Sequence, residues 1–119
     1  MTVARQTLGR RGEAIAASWY EQRGWVVLDR NWRCARGELD LVVGKGSTIA
    51  FVEVKARSTD RWGDPCEAVS FDKQRRLRRL GVAWLAESAM AVQDFRFDVA
   101  SVVGAIDQTC RLEVFEDAF

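Results

Sequence analysis

Two carboxylates and a lysine stand on neighbouring runs of alternating residues. Asp40 lies within Glu38-Leu39-Asp40-Leu41-Val42-Val43, and Glu53 and Lys55 lie within Ile49-Ala50-Phe51-Val52-Glu53-Val54-Lys55-Ala56-Arg57. Carboxylate oxygens are hard ligands that suit a magnesium-like ion, which is usually held by one or two such groups and keeps several waters. An ion of this kind polarises a phosphoryl oxygen, generates hydroxide from bound water and steadies the leaving oxygen. A neighbouring ammonium adds positive charge where a pentacoordinate phosphorus accumulates negative charge. The chemistry that such a cluster suits is phosphodiester hydrolysis, with Mg2+ or Mn2+ as the expected cofactor. On an exposed strand, Glu-x-Lys is ordinarily a solvated ion pair, and short motifs match by chance. What distinguishes this pair is Asp40, together with charge in a run where a central strand is usually apolar on both faces.

Strict alternation makes both runs strands. Leu39, Leu41 and Val43 share one face of the first, and Val52, Val54 and Ala56 one face of the second. Asp40 then lies on the opposite face, as do Glu53 and Lys55. The turn between them is Gly44-Lys45-Gly46. With Lys45-Gly46 as a two-residue hairpin loop, Asp40 falls opposite Phe51 and diagonal to Glu53, roughly 7–8 Å away at the backbone. A three-residue loop would turn one strand over, because the side-chain period is two.

These residues resemble the PD-(D/E)xK motif of restriction endonuclease-like nucleases. The wider text, Gly9-Arg10-Arg11-Gly12-Glu13, Asn31-Trp32-Arg33, Gly37-Glu38-Leu39-Asp40-Leu41 and Phe51-Val52-Glu53-Val54-Lys55-Ala56-Arg57, resembles the YraN-like family of small bacterial proteins over nearly the whole chain. The resemblance implies an endonuclease acting on DNA, branched or single-stranded, with Asp40 and Glu53 as metal ligands and Lys55 as a catalytic residue. It also implies that Glu13 is a helical acid completing the metal site and that Gln74 supports it. From the residues alone, Glu13 is equally an ordinary first-turn Glu favoured by the helix dipole. Leu39 departs from the motif, where proline often precedes the Asp. That departure and the modest net charge keep a second reading open: a non-catalytic nucleic-acid- or partner-binding module with the same fold.

The chain has 119 residues, a net charge of +1, three cysteines and no histidine. The length fits one domain over residues 1–119. Without histidine, Ser-His-Asp catalysis, His-zinc sites and HNH-type nuclease chemistry are excluded. Cys34, Cys66 and Cys110 are odd in number and far apart, suggesting neither a disulfide framework nor a zinc pair. With no export-type leader and no run long enough to cross a bilayer, the expected setting is the reducing cytoplasm, away from the membrane. Monomer and homodimer are both compatible with the sequence.

Charge is unevenly spread. Residues 1–36 carry seven Arg against Glu13, Glu21 and Asp29, and residues 71–79 carry five basic side chains against Asp72. Residues 87–119 are acidic. A polyanion would meet the basic segments, with Arg33, Arg36, Arg57, Arg75, Arg76 and Arg79 as nucleic-acid-binding candidates. A solvated surface is the plainer explanation of the same residues.

The remaining elements frame this stretch. Residues 8–23 read as a helix stopped by Gly24, with Leu8, Ile15 and Trp19 as one stripe and Glu13, Ala17 and Tyr20 as another; Ala16 and Ala17 let it lie close to the sheet. Residues 25–32 form a strand, followed by a loop through Gly37. Residues 58–70 are turn-rich around Pro65, and Asp60, Arg61, Asp64 and Glu67 there are accessory candidates. Ser70 caps a helix to about Glu87 that buries Leu77, Leu80, Gly81, Trp84 and Leu85. Residues 95–104 and 110–115 are strands, the first holding Asp98, an acid better suited to an ion pair than to a metal. The expected fold class is α/β: a restriction endonuclease-like mixed sheet flanked by helices, in the order α-β-β-β-α-β-β, with a right-handed parallel crossover after Lys55.

Overall fold

Strand β3 (Thr48–Arg57) is the spine of the molecule, with Ile49 to Glu53 all buried. Around it the computed structural model, which describes residues 3–58, 69–104 and 110–119, places α1 (Val3–Gln22), β1 (Val26–Cys34), β2 (Gly37–Lys45), α2 (Phe71–Ser88), β4 (Asp94–Val103) and β5 (Arg111–Phe115). The five strands form one sheet in the order β1-β2-β3-β4-β5. β3 and β4 run parallel, and every other neighbouring pair is antiparallel. The order α-β-β-β-α-β-β and the mixed sheet are those expected. Asp60, Arg61, Asp64, Pro65, Cys66 and Glu67 lie outside the described residues.

The sheet is covered on both faces, which is why each of its inner strands, β2, β3 and β4, holds a run of buried residues. On one face Ala16, Ala17 and Tyr20 of α1 meet Leu41, Val43, Ala50, Val52 and Ala100. On the other, Leu77, Leu80 and Trp84 of α2 meet Leu39, Val42, Ile49, Phe51, Phe97 and Val99. Burying a side chain of this size contributes roughly 1.5–3 kcal/mol, so these two layers carry most of the fold.

Close approach explains Gly12 of α1 and Gly81 of α2. A Cβ on Gly12 would stand 3.0 Å from Ala56 Cβ, and one on Gly81 would stand 3.0 Å from Phe97 Cζ and 3.1 Å from Phe51 Cε2. The buried stripe of α1 accordingly runs Leu8, Gly12, Ala16, Tyr20, with Ala17 beside it. It falls between the two stripes expected from the sequence, because the smallest residues, not the largest, select the contact face.

Three local expectations are corrected. The β2–β3 loop is Gly46-Ser47, since Lys45 pairs with Thr48. Gly46 has φ +61°, and a glycine in the first loop position suits a tight hairpin better than Lys45 would. The register is therefore two residues from the expected one: Val42, not Asp40, lies opposite Phe51. Two residues preserve parity along the ladder, which runs from Lys45–Thr48 to Leu41–Val52 and stops short of Asp40.

Strand β1 is longer than expected and joins β2 through a tight turn, with Cys34 paired to Gly37. Its register shifts between Val27 and Asp29, and Asn31 takes φ +51°. Asn31 sits between the pairs Arg30–Leu41 and Trp32–Leu39, the place that faces Asp40. At that irregularity the alternation of β2 breaks. Leu39 joins Val42 on the α2 side, not Leu41 and Val43 on the α1 side.

The second helix follows its expected course. Ser70 is extended at its N-cap, and its hydroxyl oxygen accepts from Lys73 N at 3.2 Å. Asp98 also behaves as expected of a buried structural acid. Fully buried in β4, it accepts from the Tyr20 hydroxyl (2.6 Å), Arg96 Nε (3.0 Å), Arg96 Nη2 (3.2 Å) and Asp117 N (2.9 Å). Burial first, and then the Asp98 charge, hold the Tyr20 phenol above its ordinary pKa.

Candidate active site between β2, β3 and the start of α2

The β2–β3 ladder ends at Leu41–Val52. Beyond it the backbone amide of Val54 finds a side chain instead of a strand: its N–H donates to Asp40 Oδ2 at 2.9 Å. Val54 lies between Glu53 and Lys55 in sequence, so this hydrogen bond ties Asp40 to the backbone that carries both. Asp40 and Glu53 line the same crevice beneath α2, with Leu39, Phe51, Leu77 and Phe97 as its apolar walls. Lys55, two residues after Glu53, reaches the same carboxylate, Nζ to Oε1 being 3.5 Å.

The electrostatics follow from burial. Desolvation raises the Asp40 carboxyl to about 7, helped by the nearby charge of Glu53 and more weakly by Glu13 and Glu38, against the Val54 hydrogen bond. Lys55 is pushed down, by burial first and then by its neighbour Lys73. Two acids that disfavour each other's charge, in a partly closed crevice, form a site that gains from a cation.

A lysine that the sequence reading did not single out completes this group. Lys73 Nζ donates to Glu53 Oε1 at 2.5 Å. Burial works against the Lys73 ammonium, but this hydrogen bond carries its pKa above the ordinary lysine value. The signal was present in the spacing: Lys73 precedes Leu77 by four residues and so continues the buried stripe of α2.

The other candidates are distributed around this centre. Glu13, on α1, accepts from Asn31 Nδ2 at 3.1 Å. Asn31 occupies the irregular β1 position facing Asp40, so Glu13 acts on Asp40 through charge. Gln74 is half-buried and donates to the Val69 carbonyl (3.1 Å), bracing the entry to α2. Among the described residues no group of three or more acidic or cysteine side chains is placed to hold a metal ion; the convergent pair is Asp40 and Glu53. That pair fits Mg2+ or Mn2+, which need only one or two carboxylates and complete their shell with water.

The basic residues divide into two places. The β1–β2 turn carries Arg33, paired to Glu38 at 2.8 Å, and Arg36, exposed. The stem of Arg76 lies against this turn, its Cδ 3.7 Å from where a Gly37 Cβ would be. Arg33, Arg36 and Arg76 therefore share one surface. Arg75 and Arg79 are exposed on α2, with the Arg75 guanidinium 6.0 Å from the Phe71 ring centroid. Arg57 ends β3, half-buried and opposite Val103. Among the described residues no helix is long and apolar enough to cross a membrane.

Residues 12–102, which include the whole site, match the uncharacterised protein family UPF0102. Proteins of that family from three bacteria illustrate the similarity. One from Beutenbergia cavernae is 46% identical over 110 residues, 92% of this chain and 93% of the relative. One from Nocardia farcinica is 48% identical over 99 residues, covering 83% and 78% of the two chains. One from Myxococcus xanthus is 47% identical over 100 residues, covering 84% and 79%.

Proposed function

The chain belongs to the uncharacterised protein family UPF0102, the YraN-like family, and from that premise we propose that it is a metal-dependent endonuclease hydrolysing phosphodiester bonds of DNA, branched or single-stranded. The observation that supports the reading is that Asp40 and Glu53 line one crevice, with Asp40 held by the Val54 amide and Lys55 Nζ 3.5 Å from Glu53 Oε1. A protein that only bound nucleic acid would have no physical reason to set two carboxylates where a phosphate must come.

In this reading Asp40 and Glu53 would hold Mg2+ or Mn2+, which would supply Lewis-acid charge and lower the pKa of a bound water. The Val54 N–H holds Asp40 in place, and the apolar walls from Leu39, Phe51 and Leu77 strengthen the local charges by excluding water. Lys55 offers an ammonium to the developing phosphorane charge. Arg33, Arg36 and Arg76 bind the backbone on one side of the crevice, while Arg75 and Arg79 extend the positive surface along α2. Glu13 and Gln74 are supporting residues, one through charge and the other through the Val69 backbone. The setting that matches this activity is the cytoplasm.

Binding without cleavage is the second reading, favoured by the separate basic surface of the β1–β2 turn and Arg76. The deciding experiment incubates the purified protein with plasmid, single-stranded and branched DNA, with and without Mn2+, beside Glu53→Gln. Metal-dependent cleavage lost in the variant supports the endonuclease. Equal DNA binding by both proteins with no cleavage by either supports the binding module.

A further inference from the structure

Lys73 is a cation at an unfavourable end of its helix and on an unfavourable face. It is the third residue of α2, where the helix dipole disfavours positive charge. It also continues the stripe of Leu77, Leu80 and Trp84, all buried against the sheet. A lysine kept only for solubility would occupy the outer face, as Arg75 and Arg79 do. Instead its Nζ reaches Glu53 Oε1 at 2.5 Å, the same oxygen that Lys55 Nζ approaches at 3.5 Å. One carboxylate oxygen thus serves two ammonium groups, more than Glu53 needs for neutrality.

Charge bookkeeping shows what the surplus does. Asp40, Glu53, Lys55 and Lys73 sum to zero when all are ionised, so the site is balanced without a metal. A divalent cation on the carboxylate pair brings it to +2, which matches the dianionic phosphorane of an attacked diester. Lys73 then faces a cation across Glu53 and is repelled from it. The lysine stem is flexible and its three donors are not tied to one geometry. The side chain is 30% exposed, so the ammonium can turn outward without moving the helix.

We propose that Lys73 is an exchangeable counter-ion: it holds Glu53 in the metal-free protein, yields Oε1 when a divalent cation binds, and transfers its ammonium to a phosphate oxygen of the nucleic acid. This rests on the endonuclease reading and adds a substrate-binding residue that links metal binding to nucleic-acid binding. By linkage, each ligand then improves the site for the other. Lys55 keeps its place beside the reacting phosphate, and Lys73 takes a neighbouring non-bridging oxygen.

The test measures binding, not turnover. Mn2+ affinity is read by electron paramagnetic resonance for the wild type, Lys73→Met, Lys73→Gln and Asp40→Asn, each checked for folding by circular dichroism. The glutamine variant keeps a neutral hydrogen-bond donor to Glu53 should methionine disturb the helix start. A labelled single-stranded oligonucleotide is then titrated at saturating Mn2+, with and without Lys73→Met, in a Lys55→Ala background that suppresses cleavage. Both Lys73 variants should bind Mn2+ about fivefold tighter or more, and Lys73→Met should bind the oligonucleotide weaker by a similar factor, within the usual range for coupled sites. Unchanged or weaker Mn2+ binding in the Lys73 variants overturns the exchange. Tighter Mn2+ binding with unchanged oligonucleotide affinity also overturns it, leaving a static ion pair. If the wild type binds no Mn2+, or Asp40→Asn binds it equally well, the metal reading has failed and the exchange falls with it.

Discussion

Asp40 Oδ2 accepts the main-chain N–H of Val54 at 2.9 Å. Because Val54 separates Glu53 from Lys55 and its own side chain packs on the α1 face, this bond ties one carboxylate to the backbone that carries the other. The relative position of the two acids is thereby set by main chain, which is stiffer than a contact between two flexible side chains. It also replaces a ladder bond where the pairing of β2 with β3 ends.

Removing single charges should separate holding the metal from using it. Glu53→Gln keeps the shape of the side chain but removes a ligand charge, so metal binding should weaken and cleavage disappear while DNA is still bound. Lys55→Ala should retain the metal and lose rate by roughly 3 kcal/mol, about a hundredfold, as for other preorganised charge stabilisers. Cleavage and binding are measured on the same DNA for all three proteins. Cleavage persisting in both variants would place the chemistry outside this crevice.

The raised pKa of Asp40 predicts a pH dependence of stability. The carboxyl moves from an ordinary 3.8 to about 7 on folding. Between those values the folded protein binds more protons than the unfolded chain, so stability falls as pH rises. The contribution of protonated Asp40 is complete below pH 3.8 and is lost as pH rises through about 7. The slope is at most about 1.4 kcal/mol per pH unit. Asp40→Asn, whose amide oxygen can still accept from Val54, should lose much less stability than the wild type between pH 5 and 8 in metal-free urea unfolding. Parallel losses in both proteins would show that Asp40 is not the source.

Asp98 carries a different weight from Asp40. Asp98→Ala would take the acceptor from the buried Tyr20 hydroxyl and the Asp117 amide and leave Arg96 only its more distant carboxylate, Glu116 at 3.6 Å. Breaking a buried charged network in this way costs about 3–5 kcal/mol. Tyr20→Phe, which removes one partner and leaves the ion pair, should cost about 1–2 kcal/mol. Thermal or urea unfolding checks both values, and similar losses for the two variants would contradict the network.

Substituting Gly81 should disturb the site from behind. A Cβ there meets Phe51 and Phe97 within 3.2 Å, and a Gly81→Val side chain adds two methyls to that contact. Overpacking of this kind costs about 1–3 kcal/mol. Phe51 walls the crevice of Asp40 and Glu53, so metal affinity should fall together with stability. An unchanged Mn2+ affinity in a destabilised variant would mean that the crevice is insulated from α2.

The basic surfaces should reveal themselves through salt. Arg75→Glu with Arg79→Glu, and separately Arg36→Glu with Arg76→Glu, should weaken DNA binding and flatten its dependence on salt, since each phosphate contact contributes about 0.7–0.9 to the slope. A pair whose reversal leaves affinity and slope unchanged is not a phosphate-contacting surface.

The element order, the Ser70 cap and the even length of the β2–β3 loop were legible in the residues. Each depends on local rules: strand alternation of period two, the preference of serine for an N-cap, and a loop of even length. An error of two residues in register kept parity along the ladder, but Asp40 lies beyond its last pair and meets the crevice of Glu53 through the Val54 amide. The partners of those residues were another matter. Nothing near position 40 says that Asp40 will bind the amide of Val54, or that Asn31 will adopt φ +51° and send Leu39 to the other face. Lys73 carried a visible sign, its place four residues before Leu77, but not the identity of the carboxylate it meets. Those contacts join β2, β3 and α2, and are fixed only when the helix is pressed onto the sheet by Leu77, Leu80 and Trp84. The local chain thus determined which side chains could share a face, whereas long-range burial decided which of them touch and how far their charges are shifted.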